Sequence, residues 1–374
     1  MDQINTEEEL QRAKSQPLFG GFHNFTLSNA IINVPLTIKY GCNIIAITNC
    51  TFNKRVEISC DVERTLTLNN CTFMEEMCLD NIVVKGNARL QANDFRAKTS
   101  FNNSKFEKLA DFWNSTFWQP TIFFKTDFNG IAVFSIVTFH ENVLFTYTLI
   151  GDQLLLRGTR CNKGLDLSQS IVKGGINPFS LLVKGVASES PEDDEEFEDW
   201  ISSFGRIPIK NQRETFRILK KHLQDSGNSI DAFMYWKKEI TNFSKEISLM
   251  PWKNNVGYIL ENRIILTLNK LSNNHNSSWL LGVVFTVATG SVFFILAFVN
   301  TEAIYFACKM PDSKTLDTYI MLFINSLSPV HKLDYLDFYK PTTWTYIFDY
   351  IGRIFVGYGI YQTIKAFRRF KNAS

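Results

Sequence analysis

From Phe73 onward the apolar residues of this chain recur at alternating steps of six and five: Phe73, Leu79, Val84, Leu90, Phe95, Phe101, Phe106, Phe112, Phe117, Phe123 and onward to Val172. A double step of eleven fits neither an α-helix, with a period of about 3.6, nor a flat strand, with a period of about 2. It fits a coil with four faces, one inward residue per face and about 22 residues per turn. The spacing therefore predicts a right-handed quadrilateral β-helix over residues 21–186, preceded by a separate N-terminal segment at 1–20. The pattern is looser before Phe73 (Ile47, Phe52, Ile58, Leu68) and fades near Phe179. Roughly seven coils between Phe22 and Leu182 are expected.

Two residues before many of these positions sits a small side chain, as at Cys71, Thr99, Ser104, Ala110, Ser115 and Thr126. A large central residue with a small one at its shoulder resembles the core of pentapeptide-repeat proteins, here with steps of five and six in place of a strict five. The resemblance implies a phenylalanine ladder buried without catalytic residues, and a scaffold or partner platform. Lys85, Arg89, Arg96, Lys98, Lys105, Lys108 and Lys125 are mixed with few acids, which argues against mimicry of duplex nucleic acid. Six of the seven cysteines lie between Cys42 and Cys161, with no CxxC pair and no secretory segment ahead of them. They read as reduced core residues, neither disulfides nor metal ligands. Asp2, Glu7, Glu8, Glu9, Arg12 and Lys14 leave no apolar core for a signal peptide, so a cytoplasmic N-terminus is expected.

Residues 187–250 begin with an acidic run after Pro191 (Glu192, Asp193, Asp194, Glu195, Glu196, Glu198, Asp199), read as a solvated loop. Phe216, Leu219 and Leu223 then keep helical spacing, Gly227 is placed to end that helix, and Ile230, Phe233, Met234, Trp236 and Ile240 begin another. The stretch from Arg213 to Glu239 resembles the helical module that joins pentapeptide repeats to a two-span pore domain in a family of bacterial membrane proteins. The hairpin is also basic. Lipid contact near an inner membrane surface is one meaning of such charge. The other is an anionic-ligand site: repeated around an axis, Arg213, Arg217, Lys220 and Lys221 would focus positive potential on a nucleotide or oligonucleotide, with Phe216 stacking a base. Residues 251–278 are expected to form an amphipathic interfacial helix.

The last stretch, 279–374, carries the membrane signal. Trp279 to Val299 holds no charge and spans roughly 30 Å as a helix. A second span is expected at 344–366, although Asp349 and Arg353 would each cost about 3 kcal/mol facing lipid at mid-membrane. Between them Thr318 to Val330 is too short to cross and ends by Pro329, as a re-entrant segment would, with pore helix and filter at 315–332. Two spans around a re-entrant loop make a pore-loop subunit and resemble two-transmembrane potassium-channel pore domains. The Thr-Val-Gly-Tyr-Gly filter of that family is absent. Asn325, Ser326, Leu327, Ser328, Pro329 and Val330 form the expected constriction, wider and weakly selective. Gly352, Phe355, Val356, Gly359 and Thr363 are the expected pore-lining face of the second span, with Asp349 and Arg353 as an intramembrane charge pair.

Lys365, Arg368, Arg369 and Lys371 follow the second span, so both termini are expected on the cytoplasmic side of a bacterial inner membrane. The combined expectation is a homotetrameric channel for inorganic ions, embedded in the bilayer and gated by a cytosolic nucleotide or oligonucleotide. Analogy with sensor domains fused to small channel modules implies an anti-phage effector that depolarises the membrane. The rival is a non-conducting anchor that displays the β-helix to a protein partner. Five scattered histidines without a nucleophile motif or metal spacing suggest neither an enzyme nor a cofactor.

Overall fold

The computed structural model describes residues 2–13, 23–184, 205–302, 313–332, 336–337 and 339–368. The acidic run from Glu192 to Asp199, Cys308 and Arg369 lie outside the described residues. The chain divides into two units, Met1–Glu246 and Ile247–Ser374.

The first unit is a parallel β-solenoid of about 7 turns with ~22-residue coils. Its strands form sheets of nine, seven and thirteen, and the largest splits after Val62–Asn69 into two columns, one led by Val83–Val84 and one by Asn87–Arg89. Later coils thus have four faces. Ile31 pairs with Thr51, Thr51 with Thr72 and Thr72 with Asp94, so successive coils advance by 20, 21 and then 22 residues. The advance stays at 22 afterwards, as Asp94 pairs with Thr116 and Thr116 with Thr138. The shorter early coils are why the apolar rhythm slips before Phe73.

The inward residues stack in register. Phe52, Phe73, Phe95, Phe117 and Phe139 lie ring on ring at 5.2, 5.1, 4.6 and 5.0 Å, and Phe101, Phe123 and Phe145 at 5.1 and 4.9 Å. At the shoulder positions the hydroxyls of Ser104, Thr126, Thr148 and Thr159 donate to the carbonyls of Leu79, Phe101, Phe123 and Phe134 at 2.5, 2.8, 2.6 and 2.6 Å. A buried carbonyl has a second lone pair to satisfy, and a small side chain with a hydroxyl fills the space while doing so.

The corners show a second period. Positive φ recurs at Asn70, Asn81, Ala92, Asn103, Asn114, Lys125, Ile136, Tyr147 and Gly158. Asparagine tolerates this left-handed backbone, and its amides also ladder: Asn70 donates to Asn49 at 2.8 Å and Asn49 to Asn29 at 3.1 Å. Ile136 is the strained member, since its branched Cβ sits at φ 61. Ile136→Asn is expected to stabilise the unit by about 1 kcal/mol, read as a higher urea midpoint. An unchanged or lower midpoint would show that the strain is already relieved.

Both ends of the solenoid are covered. Asp2–Ile4 pairs in parallel with Ala30–Ile32, and α1 (Glu7–Ala13) buries Leu10. At the other end α2 (Ile209–Asp225) and α3 (Ser229–Leu249) extend the core with Phe216, Leu219, Leu223, Ala232 and Tyr235. The second unit holds α4 (Trp252–Asn273), α5 (Trp279–Val299), α6 (Ser313–Ser326) and α7 (Thr343–Phe367).

Candidate functional site

In the second unit α5 and α7 pack through small residues on both helices. A Cβ on Gly282 would collide with Thr363, one on Gly359 with Thr286, and one on Gly352 would come within 2.9 Å of Phe293. Gly282, Thr286 and Gly290 recur every four residues on α5, which lets the helix backbones approach closely. Phe355 stacks on Phe293 at 5.3 Å, and Val356 is buried. The face Gly352, Phe355, Val356, Gly359 and Thr363, expected to line a pore, therefore faces α5. A stripe of small residues suits a water-filled lumen and a helix seam equally, and the matching small residues on α5 make it the seam.

Polar groups close both ends of this pair. Asn269 of α4 accepts from Tyr358 at 3.1 Å and from Gln362 at 3.0 Å, while Asn273 donates to the Gln362 side chain at 2.6 Å. At the opposite end the hydroxyls of Thr342 and Thr345 donate to the Asn300 carbonyl at 2.7 and 3.1 Å. The first knot has a sequence signal, Asn269 and Asn273 four apart on one helix, but a pair of asparagines at that spacing does not by itself name a partner.

The segment after α6 is held against the same pair. Leu327 lies over Gly290, Pro329 comes near Gly357, and the Ser326 hydroxyl donates to the Phe323 carbonyl at 2.7 Å. Asn325, Ser328 and Val330 are exposed, Val330 at 86 %. His331 closes the segment. Its Nδ1 is 2.5 Å from the Ser328 carbonyl and its Nε2 is 2.9 Å from Asp349 Oδ1. The ring thereby bridges the Ser328 carbonyl and the Asp349 carboxyl. Arg353 donates to Asp349 Oδ2 at 2.8 Å, so the pair expected from spacing is joined by a third group that spacing did not reveal. Asp349 is 6 % exposed, which removes its carboxylate from the helix surface.

Among the described residues α5 alone is long and apolar enough to cross a bilayer by composition, and it is mostly exposed within the chain. α7 is longer, at 25 residues, but carries Asp349, Arg353 and Lys365.

The expected anionic-ligand cluster of the first unit is largely committed to holding the helical cap. Phe216 is 4 % exposed and packs against Tyr235, with Lys238 over both rings, so it does not stand ready to stack a base. Burial pushes the Lys238 ammonium pKa down, while its Nζ donates to the Val183 carbonyl at 3.3 Å. Arg213 pairs with Glu246 at 3.0 Å and Lys220 with Glu239 at 2.8 Å, tying α2 to α3. Arg217 is bonded to Glu214, whose carboxyl pKa it holds down, and Lys221 faces solvent. On the opposite side of α2, Thr215 accepts from Leu167 N at 2.8 Å and Asn211 donates to Asp166 at 3.0 Å. Burial raises the Asp166 pKa despite these bonds. Alternating helical faces explain the outcome, since one side of α2 seals the last coil and another makes ion pairs to α3.

Comparisons with protein-family models, with curated proteins and with solved structures find no match to this chain.

Proposed function

We propose that the chain is the subunit of a homotetrameric membrane ion channel, with α5 and α7 spanning the bilayer, α6 and residues 325–331 re-entering from one side, and the solenoid in the cytoplasm. The observation that carries this reading is the anchoring of the post-α6 segment between two helices by Leu327, Pro329 and the His331–Asp349–Arg353 cluster. Irregular backbone at membrane depth needs protein around it, and ionisable side chains there need partners. A plain membrane anchor requires neither. With Gly352, Val356 and Gly359 used for packing, the pore face becomes the stripe of exposed Tyr350, Ile354, Tyr361 and Ile364 around half-buried Gly357, which is the residue of that stripe next to Pro329. The exposed Asn325, Ser328 and Val330 would form the constriction. Without glycines to turn successive carbonyls inward, weak selectivity among small ions is the expected behaviour.

Recording purified protein in planar bilayers tests the reading. Conductance is expected, and a cysteine at Ile354 or Tyr361 should let a water-soluble thiol reagent alter the current, whereas one at Phe355 should not. Absence of conductance with every cytosolic ligand tried would leave the non-conducting anchor. Modification of Phe355→Cys but not Ile354→Cys would return the lumen to the other face.

A further inference from the structure

A cleft of about 680 Å³ opens beside the last two coils of the solenoid, where they meet the C-terminal end of α2. Its floor includes Gln153 and, on the next coil, Gly175 and Asn177, with Gln153 paired opposite Gly175. Gly175 has no side chain to fill the space above the final coil. One wall is the corner of those coils, where the Arg157 guanidinium lies 5.4 Å from the centre of the Phe179 ring. Phe179 is 53 % exposed, and among the described residues no carboxylate pairs with Arg157. The other wall is the end of α2, with His222 and Asp225. Desolvation lowers the His222 pKa, so its ring is neutral at neutral pH.

The two walls ask for opposite things. Arg157 favours an anion, and it can meet a phosphate in a fork of two hydrogen bonds. The negative pole of α2, reinforced by Asp225, favours hydrogen-bond donors and disfavours phosphate. Phe179 offers an apolar ring face for stacking. The volume falls within the range of small-molecule sites, about 300–1,000 Å³. One cation and one carboxylate leave the lining without net positive charge, so a chain of phosphates would be poorly compensated.

We propose that this cleft binds a nucleoside monophosphate whose base carries an exocyclic amino group, with the base against Phe179, the phosphate at Arg157 and the amino edge toward His222 and Asp225. The site is separate from the Arg213–Lys221 cluster, and as the input to gating it rests on the channel reading, although binding itself does not.

The test is calorimetric titration of the full chain in detergent with adenosine 5′-monophosphate. Saturable binding is expected. Arg157→Ala should weaken it about tenfold or more while leaving adenosine unaffected, because only the phosphate loses a partner. Gly175→Leu should block both ligands without unfolding the coil, since a Cβ at Gly175 meets only the Gln153 side chain, at 3.5 Å. Inosine 5′-monophosphate, which presents a carbonyl where adenine has its amino group, should bind more weakly. No binding at millimolar ligand, or binding indifferent to both substitutions, overturns the proposal. Equal affinity for the inosine nucleotide overturns the amino-edge assignment. The titration reads heat and not current, so its failure and a failure of the channel reading are separate results.

Discussion

Phe112→Ala is expected to destabilise the solenoid by about 3–5 kcal/mol, the cost of deleting a buried aromatic ring and leaving its cavity. Phe112 is fully buried and stacked on Phe134 at 4.7 Å, with the rings of Phe101 and Phe123 edge-on at 5.4 and 6.1 Å. Its neighbours cannot collapse into the gap. Their backbones are fixed to the next coil, as Phe123 N is to Leu144 O and Phe134 N to Leu155 O, both at 2.8 Å. Phe52 provides the contrast, because among the described residues it has one ring partner, Phe73 at 5.2 Å, in a shorter early coil. Phe52→Ala should cost measurably less. Urea unfolding of the full chain followed by far-ultraviolet circular dichroism reads both. Equal losses at the two sites would mean that the central rings are not the tightest part of the core.

What the sequence makes legible is whatever repeats along a single element. The step of eleven specifies four faces because every coil meets the same geometric demand, and the structure has those faces. The asparagine corners were also written in the chain, at Asn70, Asn81, Asn103 and Asn114, but a polar residue in a turn carries little signal until its φ is known. Facing is harder to read. Phe216 has the helical spacing of a core residue, and its basic neighbours made it resemble a stacking platform; only the coil beneath α2 decides between them. The same holds for Gly352 to Thr363, whose partner residues on α5 lie more than fifty positions away. Clefts are harder still, since Arg157, Phe179 and His222 share no local motif. Repetition brings the first two into one corner, and the turn of the chain into α2 adds the third.

Asp349→Ala is expected to be the most damaging single change in the second unit, costing about 3–5 kcal/mol, as breaking one side of a buried charged pair does. Asp349 receives Arg353 Nε at 2.8 Å and lies 2.9 Å from His331 Nε2, so the substitution removes two bonds and the countercharge together. The guanidinium suffers most, because its Nη2 is already buried without a hydrogen-bond partner among the described residues. The segment from Ser328 to His331 would also lose its tie to α7. Replacing both members of the charged pair separates structure from conduction: Asp349→Leu with Arg353→Met leaves neither a lone carboxylate nor a lone guanidinium, although His331 loses its carboxyl partner, and should recover much of the lost stability, measured as resistance to unfolding in detergent. If the double variant folds, assembles and conducts as the natural chain does, the cluster serves packing alone. If it folds and assembles but passes no current, the cluster acts in holding the constriction open. A single Asp349→Ala variant as stable as the original would refute the burial of the pair, and with it the argument that α7 can cross a bilayer while carrying these charges.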